Sequence, residues 1–395
     1  MKKLLFLGAG FLQKFVIERA RELGYYVIAA DKNPDSVAFS SADESAPVDI
    51  VDPEACLAFA RQKKIDGVMT AATDYGVLAA AHVAHALGLP GIDPAVAAVI
   101  KNKYRVRKAL SAGQVDCVRQ FYELSCEADA LALEGQLHFP LMVKPCDGSG
   151  SKAAGRVDSF SEFVAAVREA IAVSLLGRAV AEDFIEGSEY GAESLVVDGQ
   201  VHVLSVMQKD MTAPPCYAEL GHTVPCGLPF EGRVRQTVSA ALKTLGVNFG
   251  AVNMDMIITP DGRVCIVDIG ARMGGNLIGS HIIPLGTGIP YMDNLIRATM
   301  GDPVDLRPAS APRPVATRLL ALTPGQVVAL PDIALFERDR QVRVYHHLTP
   351  GDIIRPYRNN LDGCGYIVAT ADTPQEAKQR ACDALAAFDA AIERK

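Results

Sequence analysis

Two aspartates, Asp255 and Asp268, lie inside the runs Ala-Val-Asn-Met-Asp-Met-Ile-Ile (251–258) and Arg-Val-Cys-Ile-Val-Asp (263–268), on either side of Pro260-Asp261-Gly262. An Asp-Gly pair between two apolar runs signals a β-hairpin. With Asp261-Gly262 as a two-residue loop, Pro260 faces Arg263 and paired positions sum to 523, which sets Asp255 opposite Asp268. Cross-strand neighbours have Cβ atoms about 4.5–5.5 Å apart, and like charges so placed repel. A divalent cation bound to phosphate oxygens would compensate. Two solvated acids on an exposed face fit less well, because the strands are otherwise apolar. The next stretch, Gly-Ala-Arg-Met-Gly-Gly-Asn (270–276), sets a permanently charged guanidinium, Arg272, and bare backbone beside that cation. An anionic reactant needs both.

Three further stretches carry phosphate or nucleotide chemistry. Residues 147–156 run Asp-Gly-Ser-Gly-Ser-Lys-Ala-Ala-Gly-Arg, so Gly148, Ser149, Gly150 and Ser151 offer backbone donors that can wrap phosphates. The loop directly follows Lys144, at the end of an apolar strand, and no Walker A pattern fits it. Lys103, in Lys-Asn-Lys-Tyr-Arg (101–105), is a second phosphate candidate, although a lone helix lysine is more often solvated. In Ala-Glu-Asp-Phe-Ile-Glu-Gly-Ser-Glu (181–189) a strand runs into a turn. Such a strand end can read the edge of adenine, and a carboxylate beyond it can accept both ribose hydroxyls.

The elements that must hold these groups follow from periodicity. Residues 1–98 alternate strand and helix, as a parallel, doubly wound sheet does. Gly8-Ala9-Gly10 and Asp31 resemble a dinucleotide fingerprint, but Gln13 replaces its third glycine, so a tight turn is the simpler reading. Residues 99–135 read as helical. From Phe139 the chain turns to antiparallel strands with helices between, and the hairpin follows. Prolines from 303 mark a boundary, and Thr373 caps a last helix over 374–393.

The chain has 395 residues, 49% apolar and 22% charged, with net charge -7. It is long enough for two or three domains, and no basic run invites nucleic acid. The apolar N-terminal run is cut by Gly8, so it reads as a strand rather than a signal peptide. No apolar run is long enough to span a membrane. The nine cysteines form no Cys-x-x-Cys pair, which argues against zinc and a disulfide framework and for reduced core thiols in a cytoplasmic protein.

Taken in order, these motifs resemble the ATP-grasp superfamily over nearly the whole chain: Asn-Lys before a helix, Phe-Pro-Leu-Met-Val-Lys-Pro (139–145) before a glycine-rich lid, Glu-x-x-Ile-x-Gly-x-Glu (182–189), and the carboxylate hairpin ending Asp-x-Gly-x-Arg. The tail is similar to carbamoyl-phosphate-synthase-like and L-amino-acid-ligase-like members. The resemblance implies an α/β fold in three parts: a Rossmann-like pre-ATP-grasp domain (1–98), an α+β ATP-grasp domain (99–301, lid at about 104–180) and a small C-terminal α/β domain (302–395). It implies that Lys103, Lys144 and the 148–151 loop bind ATP phosphates. The main chain of Glu182, Asp183, Phe184 and Ile185 would read adenine, and Glu189 would hold ribose. Asp255 and Asp268 would hold magnesium, or manganese in its place. Arg272 would grip an acyl phosphate or carboxylate, with Gly275 and Asn276 beside the substrate. Tyr217–Pro225 resembles the substrate segment of amino-acid ligases, so Glu219 would meet an amino group and His222 the reacting carboxylate. Two departures stand out. The metal residues are aspartates where glutamates are usual, and Gly270 replaces a common metal-binding asparagine, with Asn253 opposite it in the hairpin register.

The implied activity is ATP-dependent ligation of a carboxylate, an amino acid's above all, to an amine through an acyl phosphate, releasing ADP and phosphate. The rival readings are a purine- or carbamoyl-phosphate-type enzyme using formate or bicarbonate, and a non-catalytic ATP-binding regulatory module. Small carboxylates and amines are the partners in the favoured reading, which leaves room for a homodimer.

Overall fold

The computed structural model describes residues 1–115, 117–148, 152–214 and 216–395. A four-stranded parallel sheet opens the chain, in the order Glu44–Pro47, Tyr26–Asp31, Lys3–Leu7, Gly67–Met69. Leu4 and Phe6 enter one core and Leu5 and Leu7 another. A parallel strand buried on both faces is continuously apolar for this reason. Gln13 fills the first strand-to-helix turn: its Nε2 donates to the Ala71 carbonyl at 2.7 Å. A Cβ on Gly10 would lie 2.8 Å from Gln13 Oε1. Asp31 accepts from the Ala9 N–H at 2.8 Å. The turn is thus closed by its own side chains, against the dinucleotide fingerprint.

Two antiparallel sheets follow. One runs Phe121–Leu124, Ala179–Asp183, Leu141–Pro145, Gly155–Val157. The helix Phe160–Val173 covers it with Phe163, Val167 and Ala170, one face of a helical repeat, and Ser159 caps the start. The strand Phe121–Leu124 corrects the all-helical expectation for 99–135; four residues at a sheet edge give no periodicity to read. The other sheet has eight strands, in the order Val264–Gly270, Gly250–Ile258, Ser188–Val197, Gln200–Met211, Glu219–Val224, Val315–Leu319, Gly365–Thr370, Val342–His346. It runs unbroken past residue 302. Thr373 does cap the last helix, but the helix ends at Ala391, and Glu393–Arg394 pairs with Gly325–Ala329 instead.

The hairpin sets Asp255 opposite Asp268, by a route other than the one expected. The Thr259 N–H donates to the Arg263 carbonyl, so the loop has three residues, with Gly262 at φ +79°. Three-residue hairpin loops place glycine in this left-handed position. Pairs near the turn, such as Ile258 with Val264, are therefore one residue out of the expected register. An irregularity between Asp255 and Met256, where Val267 is the extra residue, restores it. A β-bulge inserts one residue in this way.

Seven cysteines are free, but Cys117 and Cys265 are disulfide-bonded, a single bond rather than a framework. Cys265, read as a reduced core thiol, is the exception. Among the described residues, no helix is long and apolar enough to cross a membrane.

The strand Glu219–Val224 joins the two halves of the large sheet, and Gly221 makes that junction possible. A Cβ there would lie 2.0 Å from the Thr317 carbonyl oxygen. Gly221→Ala should lower unfolding stability by about 3 kcal/mol, the scale of core overpacking. Urea denaturation measures it, and a loss under about 0.5 kcal/mol, the range of neutral surface changes, would contradict the packing argument.

Candidate active site

Three cavities share walls along the face between the two antiparallel sheets. The largest, about 580 Å³, includes Phe184, Ile185 and Glu189 and ends at Lys209. The second, about 150 Å³, lies between Lys144, Gly148, Lys103, Glu189, Asp255 and Asp268. The third, about 30 Å³, shares Lys103, Gly148 and both aspartates and ends at Arg272 and Asp74. The volume falls along the path from Phe184 to Arg272. Ser149, Gly150 and Ser151 lie outside the described residues; Gly148, Lys152 and Ala154 frame the loop's ends at the second cavity.

The charges along this path are paired. Lys103 Nζ meets Asp268 Oδ2 at 2.5 Å. Lys144 Nζ meets Glu182 Oε1 at 2.6 Å and donates to the Val267 carbonyl at 3.0 Å. Arg107 meets Glu182 Oε2 at 2.8 Å, so the Glu182 side chain is a buried counterion. Lys209, absent from the sequence reading, bridges three acids: Glu219 at 2.6 Å, Asp255 at 2.9 Å and Glu189 at 3.7 Å. Burial alone would lower its pKa, but Asp255, Glu219 and Glu189 together push it far up, so it stays charged. Burial raises Asp255 and Glu189 in spite of Lys209. The expected repulsion between Asp255 and Asp268 is therefore met by two lysines, and removing one carboxylate would strand a cation rather than relieve strain.

Arg272 is largely buried, with 16% of its side chain exposed. Its Nη2 donates to Asp74 Oδ2 at 3.2 Å, while Nε and Nη1 have no partner among the described residues. Two orphaned guanidinium donors at a cavity wall fit an anion. Burial alone would raise Asp74, but Arg272 and then Lys101 hold it below the usual range. Asp74 comes from the first domain, where Ala71 bridges Met273 and the Ala72 N–H donates to its carbonyl at 3.0 Å. Sequence reading passed over it, although it follows the carboxyl end of a parallel strand, where open α/β sheets bind ligands. Behind this wall Glu193 is fully buried. It accepts from Tyr291 Oη at 2.6 Å and from Gly274 N and Asn253 Nδ2 at 3.0 Å each. Burial pushes it up to about 7 against those three donors.

The substrate segment holds two surprises. Glu219 has both oxygens engaged, one by Lys209 and the other by Asn276 Nδ2. Burial alone would raise it, but Lys209, then His222, hold it down at about 2. The far end of the chain completes this corner. Tyr366 Oη donates to Asn276 Oδ1 at 2.8 Å, Asn360 Oδ1 accepts from the Glu219 N–H at 3.0 Å, and Tyr357 Oη donates to its carbonyl. No motif pointed to these three. His222 pairs across the strands with Lys209 but lines none of the three cavities, whose wall there is Lys209 and Glu219. Along the expected adenine edge, the Asp183 and Phe184 N–H groups already donate to the Gln120 and Pro140 carbonyls. Ile185 is the remaining main-chain donor of that run with no bond among the described residues. Gly275 lines none of the three cavities.

Three family models match the chain in order: an ATP-grasp N-terminal domain over 17–91, an ATP-grasp domain over 100–276 and the L-amino acid ligase C-terminal domain 2 over 318–393. Dapdiamide A synthase of Enterobacter agglomerans is 23% identical over 72% of this chain and 70% of its own. Carnosine synthase 1 of Mus musculus is 26% identical over 80% of this chain but 41% of its own, so the chain spans less than half of that protein. The crystal structure of an L-amino acid ligase from Bacillus licheniformis superposes with a TM-score of 0.85 at 25% identity, over 100% of this chain and 99% of that one.

Two outcomes test the electrostatics. Lys209→Met leaves three partly buried acids without their buried cation and should cost about 2–3 kcal/mol, below the roughly 3–5 kcal/mol of breaking a fully buried pair. Thermal unfolding in chelator should show the loss, and added Mg2+ should recover more stability than in the unmodified protein; an unchanged midpoint in chelator would refute the bridge. Burial holds His222 down at about 4, below its usual 6.5. Its neutral form is therefore favoured by the fold, and the stability it brings is lost only as pH falls from 6.5 toward 4. Ring-nitrogen NMR of His222 should stay flat over about pH 5–8. A midpoint near 6.5 would show an exposed ring.

Proposed function

The chain belongs to the ATP-grasp superfamily, and from that premise we propose an ATP-dependent carboxylate–amine ligase that activates the carboxyl group of an α-amino acid. The observation that carries this reading is Arg272: two buried guanidinium donors without partners among the described residues, at a cavity bounded by two hairpin carboxylates. The three-part division at 98 and 301, with a lid at about 104–180, belongs to the same proposal.

Asp255 and Asp268 offer hard oxygen donors, as magnesium requires, and no group of three or more His, Cys, Asp or Glu that could hold a metal exists among the described residues. A site of two carboxylates suits an ion whose other ligands arrive with phosphate. Mg2+ bound there would neutralise phosphoryl charge during transfer. The chain's own groups do the rest. Ile185 and Glu189 hold the nucleoside in the wide cleft. Lys144 and Lys103 face the phosphate cavity and can trade Glu182 and Asp268 for phosphate oxygens. Arg272 orients the carboxylate beside Asp255 and Asp268, so ATP's terminal phosphoryl group passes to it and ADP leaves. An amine then attacks the acyl phosphate, expelling phosphate. The lid loop excludes water, to which acyl phosphates are lost. Glu219 can meet a substrate ammonium when Lys209 or Asn276 gives up its oxygen; in the resting site it anchors both.

The cytoplasmic setting rests on the cysteine pattern, and the Cys117–Cys265 bond weighs against it.

A screen of ADP release over amino acids, singly and in pairs, with mass detection of products, should respond to α-amino acids and not to bicarbonate or formate alone. The reverse would leave the superfamily and discard the amino-acid substrate. Asp268→Asn should abolish turnover with the fold intact by circular dichroism. Arg272→Lys should lower kcat by about tenfold or more, because a point charge cannot replace a bidentate fork.

A further inference from the structure

Three strands set Glu193, Asn253 and Gly270 side by side, because Asn253 pairs with both neighbours. The adjacent row on the same face is Gly191, Asp255 and Asp268. Successive same-face residues on a strand differ by two, so Asn253 stands next to Asp255 and faces the same way. It lines the same cavity as both aspartates.

Position 270 cannot contribute a side chain here. A Cβ on Gly270 would lie 3.0 Å from Arg272 Cζ, 3.2 Å from its Nη2 and 3.2 Å from Asp74 Oδ1. The space is taken by the pair that binds the anion. The strand Val264–Gly270 therefore presents Asp268 and nothing beyond it.

The amide of Asn253 has one orientation available. Its Nδ2 donates to Glu193 Oε2 at 3.0 Å. Glu193 Oε1 is occupied by Tyr291 Oη and the Gly274 N–H. Turning the amide over would set its oxygen against a buried carboxylate, oxygen to oxygen. Its Oδ1 meets no donor among the described residues. A carboxamide oxygen so held, beside two carboxylates, is a hard-cation donor.

We propose that Asn253 Oδ1 is a third protein oxygen for a divalent cation held by Asp255 and Asp268, and that Glu193 is the positioning residue that points it there. The inference rests on the hairpin carboxylates holding metal. It assigns the third donor to the middle strand of the row, where the neighbouring strand carries only glycine.

Mn2+ affinity, read as the free-ion paramagnetic resonance signal in the presence of a non-hydrolysable ATP analogue, tests it without turnover. Asn253→Ala should weaken Mn2+ by about tenfold, the low end for disturbing a metal's surroundings. Asn253→Asp combined with Glu193→Gln, which keeps an oxygen at 253 and sets an amide donor rather than a carboxylate against it, should stay within a few-fold of the original. Glu193→Gln should weaken Mn2+ in the Asn253 protein and change nothing in the Asn253→Ala protein, since the two act as one unit. Asp268→Asn is the control. If Asp268→Asn loses Mn2+ and Asn253→Ala stays within twofold, the third ligand is wrong while the hairpin reading survives. If Asp268→Asn itself binds as before, the hairpin reading falls, and this inference with it. Equal loss in the Asn253→Asp, Glu193→Gln protein and in Asn253→Ala would also overturn it, by showing that an oxygen at 253 does not matter.

Discussion

A buried charge must have a partner, and the site is organised by that constraint. Lys209 is the centre of it, with Glu219, Asp255 and Glu189 around one ammonium group. Lys103 with Asp268, Lys144 and Arg107 with Glu182, and Arg272 with Asp74 repeat the rule at every step along the cavities. Each isolated ion would cost several kcal/mol to bury. The resting site is therefore close to balanced before any reactant arrives. Phosphate, cation and carboxylate enter by exchanging partners, not by filling a field of one sign. The Arg272 Nε and Nη1 donors are the exception, and an exception with unmet donors is where a ligand has most to offer.

Much of this was legible in the sequence, for reasons that differ from element to element. The pairing of Asp255 with Asp268 was, because an Asp-Gly turn is a strong local signal. It came out right through two cancelling offsets, a longer loop and a bulge at Val267, and a sequence shows neither. The strand–helix alternation of the first 98 residues and the cap at Thr373 were legible because both are local. The strand Phe121–Leu124 was not, since its stability comes from pairing with Ala179–Asp183, far along the chain. Lys209 carried no clear signal: it stands between Gln208 and Asp210 near the end of its strand, where a solvated lysine is the ordinary reading. Tyr357, Asn360 and Tyr366 carried none, because only the fold brings the end of the chain to Glu219.

His222 and Glu219 teach a related point. Their residue types suggested substrate contacts, but type does not settle direction. The strand irregularity between Asp210 and Met211 puts Glu219 and His222 on one face with Lys209. Glu219 reaches the cavity and His222 lies under it. One extra residue in a strand brings to one face two polar side chains that a regular strand would set on opposite faces.

The tie between the first domain and the Arg272 loop bears on how such chains diversify. Arg272 takes its counterion from Asp74, 198 residues earlier, and the two segments are joined through Ala71, Ala72 and Met273. The acid pocket is therefore a seam between modules rather than the property of one. A hybrid that kept the hairpin but borrowed its first module from a relative would inherit a different neighbour for the same guanidinium. Recombination at that joint would change the charge beside Arg272 while leaving the pairing of Asp255 with Asp268 as it was.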